Sequence, residues 1–424
     1  MICSPTISTE VIVSWVWLKN CKSLFGMKDK SKIRGFPFAG KRNPEGNART
    51  LRRQRRGVLI IILSLTLFGL LMVYESSSIY AFKNTGDAAY FFKRQFLFFL
   101  IGLMMFSLAL FIDLEFLKHH SKSILLFTLF LLFLLFFLGK ESGGARRWLS
   151  LGGFNIQPSE LLKVSFLIYC ADYYRRKSTT LKDFRAGLLP LGFVLGIICF
   201  LLISQPDLGT AVFWVIWMIF FLFLFGARSR HLLSTIGLGS LVLFFLIRLY
   251  PYRFRRIVGY LNPFADPKGA GFQLIQSQIA YGEGGLLGVG LGEGMQKLFF
   301  LPAAHTDFIF SIVAEEFGLF GSMFFLALFF LLFHKMFKIA KQARDRFCSA
   351  ILWGIILIFF LEITINLGVS CGLLPTKGLP LPFISYGGSN LVVHYMLLGL
   401  FFNASLESRT KSRKSYGFAA GYKR

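Results

Sequence analysis

The feature that most constrains this chain is a succession of ten apolar runs, 13 to 26 residues long, with few charges inside them. They are Val58–Tyr74, Phe96–Ile112, Ile124–Leu138, Leu161–Tyr173, Leu188–Ser204, Thr210–Gly226, Leu232–Tyr250, Phe308–Phe333, Cys348–Val369 and Leu391–Leu406. A helix crossing a bilayer needs about 20 mostly apolar residues. Composition agrees: 55% of residues are hydrophobic and 16% charged, against roughly 25% charged in an ordinary globular domain. The expected fold is an all-α integral membrane protein of about ten transmembrane helices. The chain divides into a basic tail (residues 1–57), a membrane domain (58–406) and a second basic tail (407–424). Within the first tail, Val11–Leu18 is too short to span.

The net charge of +26 would suggest nucleic acid on a soluble chain. On a membrane chain it reports orientation, because basic residues concentrate in cytoplasmic loops. With the N-terminus in the cytoplasm and ten spans, 33 of the 47 Lys and Arg residues fall inside and 13 outside, with Lys163 within a span. If the short fourth run did not span, the later counts of 18 inside and 7 outside would reverse. Ten spans with both termini cytoplasmic is therefore the economical topology, and no nucleic-acid partner is expected. The longest connection, residues 251–306 between spans 7 and 8, then lies outside the membrane. It is rich in Gly and Pro, and long loops of this kind are the usual place for function.

Within the runs, ionisable residues are costly and call for a partner or a function. Glu160 and Lys163 are three apart, on one helix face, and Pro158 just before them suits a helix start. An internal ion pair and a wet cavity lining both fit. Glu315, Glu316, Glu362 and Asn366 fit helix–helix hydrogen bonding as well as a substrate path. In the long loop, Asn262–Gly269 reads as consecutive turns, with Pro267 biasing Asp266 toward an extended backbone. Phe272–Tyr281 follows as a short helix on the interface, Phe272, Ile275 and Ile279 on one face and Gln273 and Ser277 opposite. Gly282–Gly294 holds seven glycines in thirteen residues, a plain flexible loop or a backbone able to approach another group closely. The loop-side carboxylates are Asp266, Glu283, Glu293 and Asp307, and the cations are Arg146, Arg147, Arg253, Arg255, Arg256, Lys297 and Lys377. Cations suit a lipid headgroup or diphosphate, and a carboxylate suits deprotonation of a sugar hydroxyl. Spacing alone does not choose among the acids. Six cysteines and six histidines form no metal-ligand pattern. The sequence thus carries no cofactor signature, and a divalent cation stays open.

Seven ordered motifs settle a resemblance. They are Gly144–Leu149, Gln157–Glu160 with Lys163, Gln205–Thr210, Asn262–Pro267, Gly271–Gln273 with Gln276 and Ser277, His305–Phe310 with Glu315 and Glu316, and Leu374–Ser389. The chain resembles the SEDS family (shape, elongation, division and sporulation proteins), and the Pro375-Thr376-Lys377-Gly378-Leu379-Pro380 run favours its division branch. The resemblance implies a peptidoglycan glycosyltransferase that polymerises lipid II, the undecaprenyl-diphosphate disaccharide–pentapeptide. The family's essential acid in the large loop falls on Asp266, its implied role that of general base on the acceptor's C4 hydroxyl. Arg146, Arg147 and Lys377 become candidates for the leaving diphosphate, and Glu160 with Lys163 match a pair beneath the loop. Gln273, Gln276, Ser277, Lys297 and His305 complete the expected substrate-binding set.

The implied partners are lipid II, the nascent glycan strand, a class B penicillin-binding protein and other division-site membrane proteins. The implied location is the bacterial cytoplasmic (inner) membrane at the division septum. Ala303, Phe264 and Asn390 depart from common family residues; the first puts an accessory acid there in doubt. Two other functions compete: a lipid II flippase, and a non-enzymatic scaffold that recruits the penicillin-binding protein.

Overall fold

In the computed structural model, residues 44–142, 145–151, 154–269 and 271–421 are described, with side chains for 49–407 except 140–146, 151–154, 251–253 and 270. Residues 48–424 form one compact unit. Among the described residues twelve α-helices occur. They are α1 (Pro44–Thr85), α2 (Tyr90–Phe111), α3 (Leu114–Leu138), α4 (Pro158–Lys177), α5 (Leu189–Ser204), α6 (Leu208–Leu224), α7 (Ser229–Leu249), α8 (Pro251–Leu261), α9 (Phe272–Gly284), α10 (Ile309–Ala340), α11 (Arg346–Ser370) and α12 (Gly388–Gly421). A single π turn, Phe184–Leu188, leads into α5.

Every expected span lies on a helix. Eight helical stretches are long and apolar enough to cross a membrane. The other two are α6, with 17 residues, and α4, whose buried face carries Glu160, Lys163 and Asp172. The sequence explains where helices begin. Asp113, Asp207 and Asp345 cap α3, α6 and α11 by accepting backbone N–H groups of Glu115, Thr210 and Cys348. Pro158 opens α4, where its missing N–H costs nothing.

The order of burial defines the architecture. α4, α11 and α12 pack together at the centre, α2 lies along α12, and α3 covers α4. Buried aromatic side chains of α4, α11 and the neighbouring α6 fill the space around them: Phe166, Phe359, Trp214, Trp217 and Phe221. At the periphery α7 buries only Leu232 among its residues. A large apolar surface left outside a compact unit is what lipid contact requires.

Four features refine the expected picture. α1 begins at Pro44 and α12 runs to Gly421, so helix extends into both segments read as tails. The α3–α4 connection is not helical: β1 (Lys140–Ser142), β2 (Ala145–Leu151) and β3 (Phe154–Ile156) form an antiparallel sheet in that order. The short helix α9 is rotated from its expected setting. Leu274, Ser277, Ala280 and Gly284 face inward, while Ile279 is exposed. Finally, the glycine-rich stretch packs against a break in α10 at Gly318 (φ 63°, ψ −162°), a backbone setting that a side chain resists. Across that break the N–H groups of Val289 and Gly290 reach the carbonyls of Glu315 and Glu316, and those of Leu319 and Phe320 reach Gly285 and Leu286.

Candidate functional site

Two clusters of charge lie near the face that carries the 251–308 connection. The deeper one is centred on Lys163. Its ammonium is 2.6 Å from Glu160 and also pairs with Glu362. Glu362 in turn lies 2.6 Å from Nε2 of His394, whose Nδ1 faces the Asn390 carbonyl at 2.7 Å. The Asn390 amide donates to Glu160 at 3.0 Å, which closes the circuit. All five side chains are buried. Buried charge is tolerated when it is paired and hydrogen-bonded, and three helices, α4, α11 and α12, supply the partners.

The second cluster surrounds Lys377, in the connection between α11 and α12. Its stem crosses Gly209 in the first turn of α6 so closely that a Cβ there would come within 2.2 Å of Cε. The ammonium is buried, lies 5.8 Å from the Phe213 ring centre and has no hydrogen-bond partner among the described residues. Burial pushes it down to about 8, against the pull of Asp207, Glu362 and Glu160 and with the help of Lys163. Asp307 faces the same pocket. Its carboxylate would lie 2.7 Å from a Cβ on Gly378, and its charge is felt by Arg256, Lys377 and Arg147. Burial raises it to about 6 although all three cations oppose the shift. Arg147 projects from β2, donates to the Pro206 carbonyl at 2.5 Å and lies 3.9 Å from Asp207.

Asp266 sits on an exposed turn a few residues after α8, with φ −139° and ψ 71°, outside the helical region as Pro267 demands. Its carbonyl accepts the N–H groups of Gly269 and Gly271. Its carboxylate rests over Gly269, where a Cβ would approach Oδ2 to 2.2 Å. A side chain at residue 269 would therefore displace the carboxylate. The helix before the turn, α8, and the segment before α10 are tied to the Lys377 connection. Tyr260 donates to the Leu373 carbonyl at 2.8 Å, and Asn366 donates to the carbonyls of Asp307 and Leu379 at 2.8 and 2.7 Å. The N–H of Tyr386 reaches the His305 carbonyl at 2.9 Å.

The expected site residues divide accordingly. Asp266 follows α8, which is tied to the Lys377 connection; Arg147 lies 3.9 Å from Asp207, the first charge acting on Lys377; Glu160 and Lys163 are in the buried circuit. The side chain of Arg146 lies outside the described residues. Gln273 and Gln276 are half-buried on α9. Ser277 is wholly buried, sharing a hydrogen bond with Ser311 (2.7 Å) and donating to the Ser370 carbonyl (2.6 Å). Lys297 is buried between Glu75 (2.5 Å) and Glu316 (2.7 Å). Both are ties within the fold. His305 packs among Tyr80, Phe91 and Tyr386, and burial pushes it down to about 4, so it is neutral at neutral pH. Glu315 accepts the N–H groups of Met295 and Gln296 and so anchors the glycine-rich stretch.

A family model for cell cycle proteins of the FtsW, RodA and SpoVE type matches residues 55–410. The chain belongs to this family. A probable peptidoglycan glycosyltransferase FtsW of Geobacter metallireducens is 42% identical over 361 residues, covering 85% of this chain and 96% of that protein. The stage V sporulation protein E of Bacillus subtilis is 40% identical over 368 residues, covering 85% of this chain and all of that one. A solved structure described as a peptidoglycan synthase complex that coordinates polymerization and crosslinking aligns with a TM-score of 0.70 and 29% identity, over 83% of this chain and 97% of its own. The chain is thus a multi-pass membrane protein of the FtsW/RodA/SpoVE family.

The charge circuit of this family member adds to the reading of its sequence: His394 was not singled out, and Glu362 was noted only as a polar residue within a span. Glu362 and His394 join Lys163 from helices remote in sequence, and no spacing rule connects them. Arg256 and Asp307 were noted only as loop charges.

Proposed function

We propose that this chain is a peptidoglycan glycosyltransferase that polymerises lipid II, with Asp266 as general base. The membrane domain (58–406) then spans ten times, with basic tails 1–57 and 407–424 in the cytoplasm and the 251–306 connection outside. The observation that carries this reading is a division of labour on one face. An exposed carboxylate on one connection is accompanied, on neighbouring segments, by a buried ammonium with no hydrogen-bond partner among the described residues and by two guanidinium groups. That is the equipment for moving a proton at one end of a reaction and receiving an anion at the other.

In this mechanism the Asp266 carboxylate takes the proton of the acceptor's C4 hydroxyl. The freed oxygen pair forms the bond to C1 of the donor's MurNAc, and the C1–O bond to the diphosphate breaks with its electrons leaving on the diphosphate. Lys377, Arg147 and Arg256 take up the charge that develops there. Gly269 allows the Asp266 carboxylate its position, and the two backbone bonds fix the chain. The Lys163 cluster braces α4, α11 and α12 beneath the pocket. The relatives named as probable peptidoglycan glycosyltransferases and the peptidoglycan synthase complex support the same reaction class; a class B penicillin-binding protein as partner and the inner membrane at the septum as location are part of this proposal.

The test supplies lipid II to the purified protein with its transpeptidase partner and measures glycan polymer. Wild type forms polymer, and Asp266→Asn lowers the rate by about 10²- to 10⁴-fold, the usual worth of a general base. Equal polymer from both would remove Asp266 from its role. No polymer from either, together with lipid II scrambling in vesicles, would replace the polymerase with the flippase.

A further inference from the structure

The helix α8 is amphipathic in a way that the fold does not use. Phe254, Ile257, Val258 and Leu261 recur at the three- and four-residue spacing that puts them on one helix face. Packed on a protein core, such a face is covered. Here Ile257 is half-buried, while Phe254, Val258 and Leu261 are 43%, 41% and 74% exposed. The protein meets another side of the helix: Gly259 is buried, and Tyr260 donates to the Leu373 carbonyl at 2.8 Å. Phe264, on the single turn between α8 and Asp266, adds a ring that is 72% exposed. This stripe is continuous with the open face of α7, a helix long and apolar enough to cross a membrane. α7 ends at Leu249, and only Tyr250, extended at φ −120° and ψ 104°, separates it from α8. One guanidinium, that of Arg248, lies 5.5 Å from the ring centres of both Phe244 and Phe254. The first turn of α8 therefore folds back against the last turns of α7, where Phe244, Phe245 and Leu249 are exposed. Arg255, also exposed, stands one turn before Val258 on the flank of the stripe.

We propose that α8 is an interfacial helix: its apolar stripe lies below the phospholipid headgroups of the leaflet where α7 ends, and through it the bilayer sets the height of the Asp266 turn. A helix of this kind rests with its apolar face about 5 to 10 Å into the headgroup and acyl boundary. Arg255 runs its stem along the stripe and holds its guanidinium at the phosphates. A phospholipid surface is the occupant that the structure selects, because a stripe that begins where a span ends meets acyl chains before it meets any protein. The coupling to Asp266 rests on the glycosyltransferase reading. An acceptor tied to the membrane by its lipid chain presents its hydroxyl at a fixed height. A base carried on a helix held at the same boundary meets it there. Val258 and Leu261 are thus positioning residues, acting through the Asp266 turn and not on the sugar.

The experiment reconstitutes the full chain in phosphatidylcholine–phosphatidylglycerol vesicles carrying a phospholipid with a diazirine near the top of its acyl chain. After irradiation, trypsin releases two peptides for comparison. Residues 231–248 report the open face of α7, and residues 257–268 hold Val258, Leu261 and Phe264. In wild type both carry the label. In the double variant Val258→Gln, Leu261→Gln the label on 257–268 falls several-fold and that on 231–248 is unchanged. A wild-type chain labelled on α7 alone overturns the proposal, as does a double variant labelled like wild type. Label on α8 that disappears when the transpeptidase partner is added also overturns it, since that protein would then be the occupant. Should the double variant fail to fold, the wild-type labelling decides. Turnover reads the coupling: the rate per folded molecule at saturating lipid II falls, by up to about 10²-fold for a shift of about 1 Å in Asp266. Lost label with an unchanged rate overturns the coupling. The labelling uses no lipid II, so it separates failure here from failure of the glycosyltransferase reading: a chain that makes no polymer yet is labelled on α8 keeps the interfacial helix and loses the reaction.

Discussion

Lys163 and Lys377 are both buried lysines within reach of carboxylates, and they differ in completion. Lys163 touches two glutamates, one of which is tied to His394 and the other to Asn390. Lys377 has electrostatic neighbours at a distance and no hydrogen-bond partner among the described residues. A closed circuit of paired charge holds helices together and has nothing left to offer a ligand. An ammonium sequestered without a partner is costly to keep and pays only when an anion arrives. Residue type is the same and both ammonium groups are buried, so completion of the hydrogen bonding is what separates brace from binding group.

The largest effect is expected from breaking the closed circuit. Lys163→Met leaves Glu160 and Glu362 buried beside each other with no cation between them, a loss of about 3 to 5 kcal/mol for a buried pair cut on one side. The readout is thermal unfolding in detergent, and activity falls only with the folded fraction. A variant with unchanged stability and lost turnover would move Lys163 into the reaction and dissolve the contrast.

Next comes the placement of the proton acceptor. Gly269→Ala puts a methyl group where Oδ2 of Asp266 now rests, and a shift of about 1 Å in a catalytic group costs about 10²-fold in rate. The expected signature is a fall in kcat for lipid II with unchanged KM and unchanged unfolding temperature. Lys377→Met then tests the open side of the comparison. Losing a charge-assisted hydrogen bond of about 1.5 to 3 kcal/mol raises the donor KM by about 10- to 100-fold. Stability holds or improves, because an unpaired buried charge is removed. Destabilisation like that of Lys163→Met would show that both lysines are braces.

How much of this was legible without coordinates follows the same line. The ten helical segments and the charge asymmetry are local properties of hydropathy, and they placed every span on a helix. Asp266 was legible because turn chemistry is local: Pro263, Pro267 and Gly269 define its backbone within seven residues. The motif around Lys377 marked a candidate, while its missing partner is visible only once Gly209 and Phe213 lie against it. Glu362 and His394 are about 200 residues from Lys163 in sequence and meet it only through the packing of α11 and α12. The facing of α9 was misjudged for a physical reason. Its serine looked like the polar, outward side, yet a hydroxyl that meets another serine and a carbonyl can be buried more easily than a large side chain fits there.

That serine gives the smallest and sharpest test. Ser277 matches a family motif and was expected at the substrate. In the fold its hydroxyl is consumed by Ser311 and the Ser370 carbonyl, joining α9, α10 and α11. If completion marks a brace, Ser277 belongs with Lys163, and Ser277→Ala costs about 1 kcal/mol of stability, the net worth of an ordinary hydrogen bond. The KM for lipid II and the rate per folded molecule stay at the wild-type value. A raised KM at unchanged stability would mean that the hydroxyl leaves Ser370 for the substrate during turnover. The criterion of completion would then fail at the one place where motif and geometry disagree.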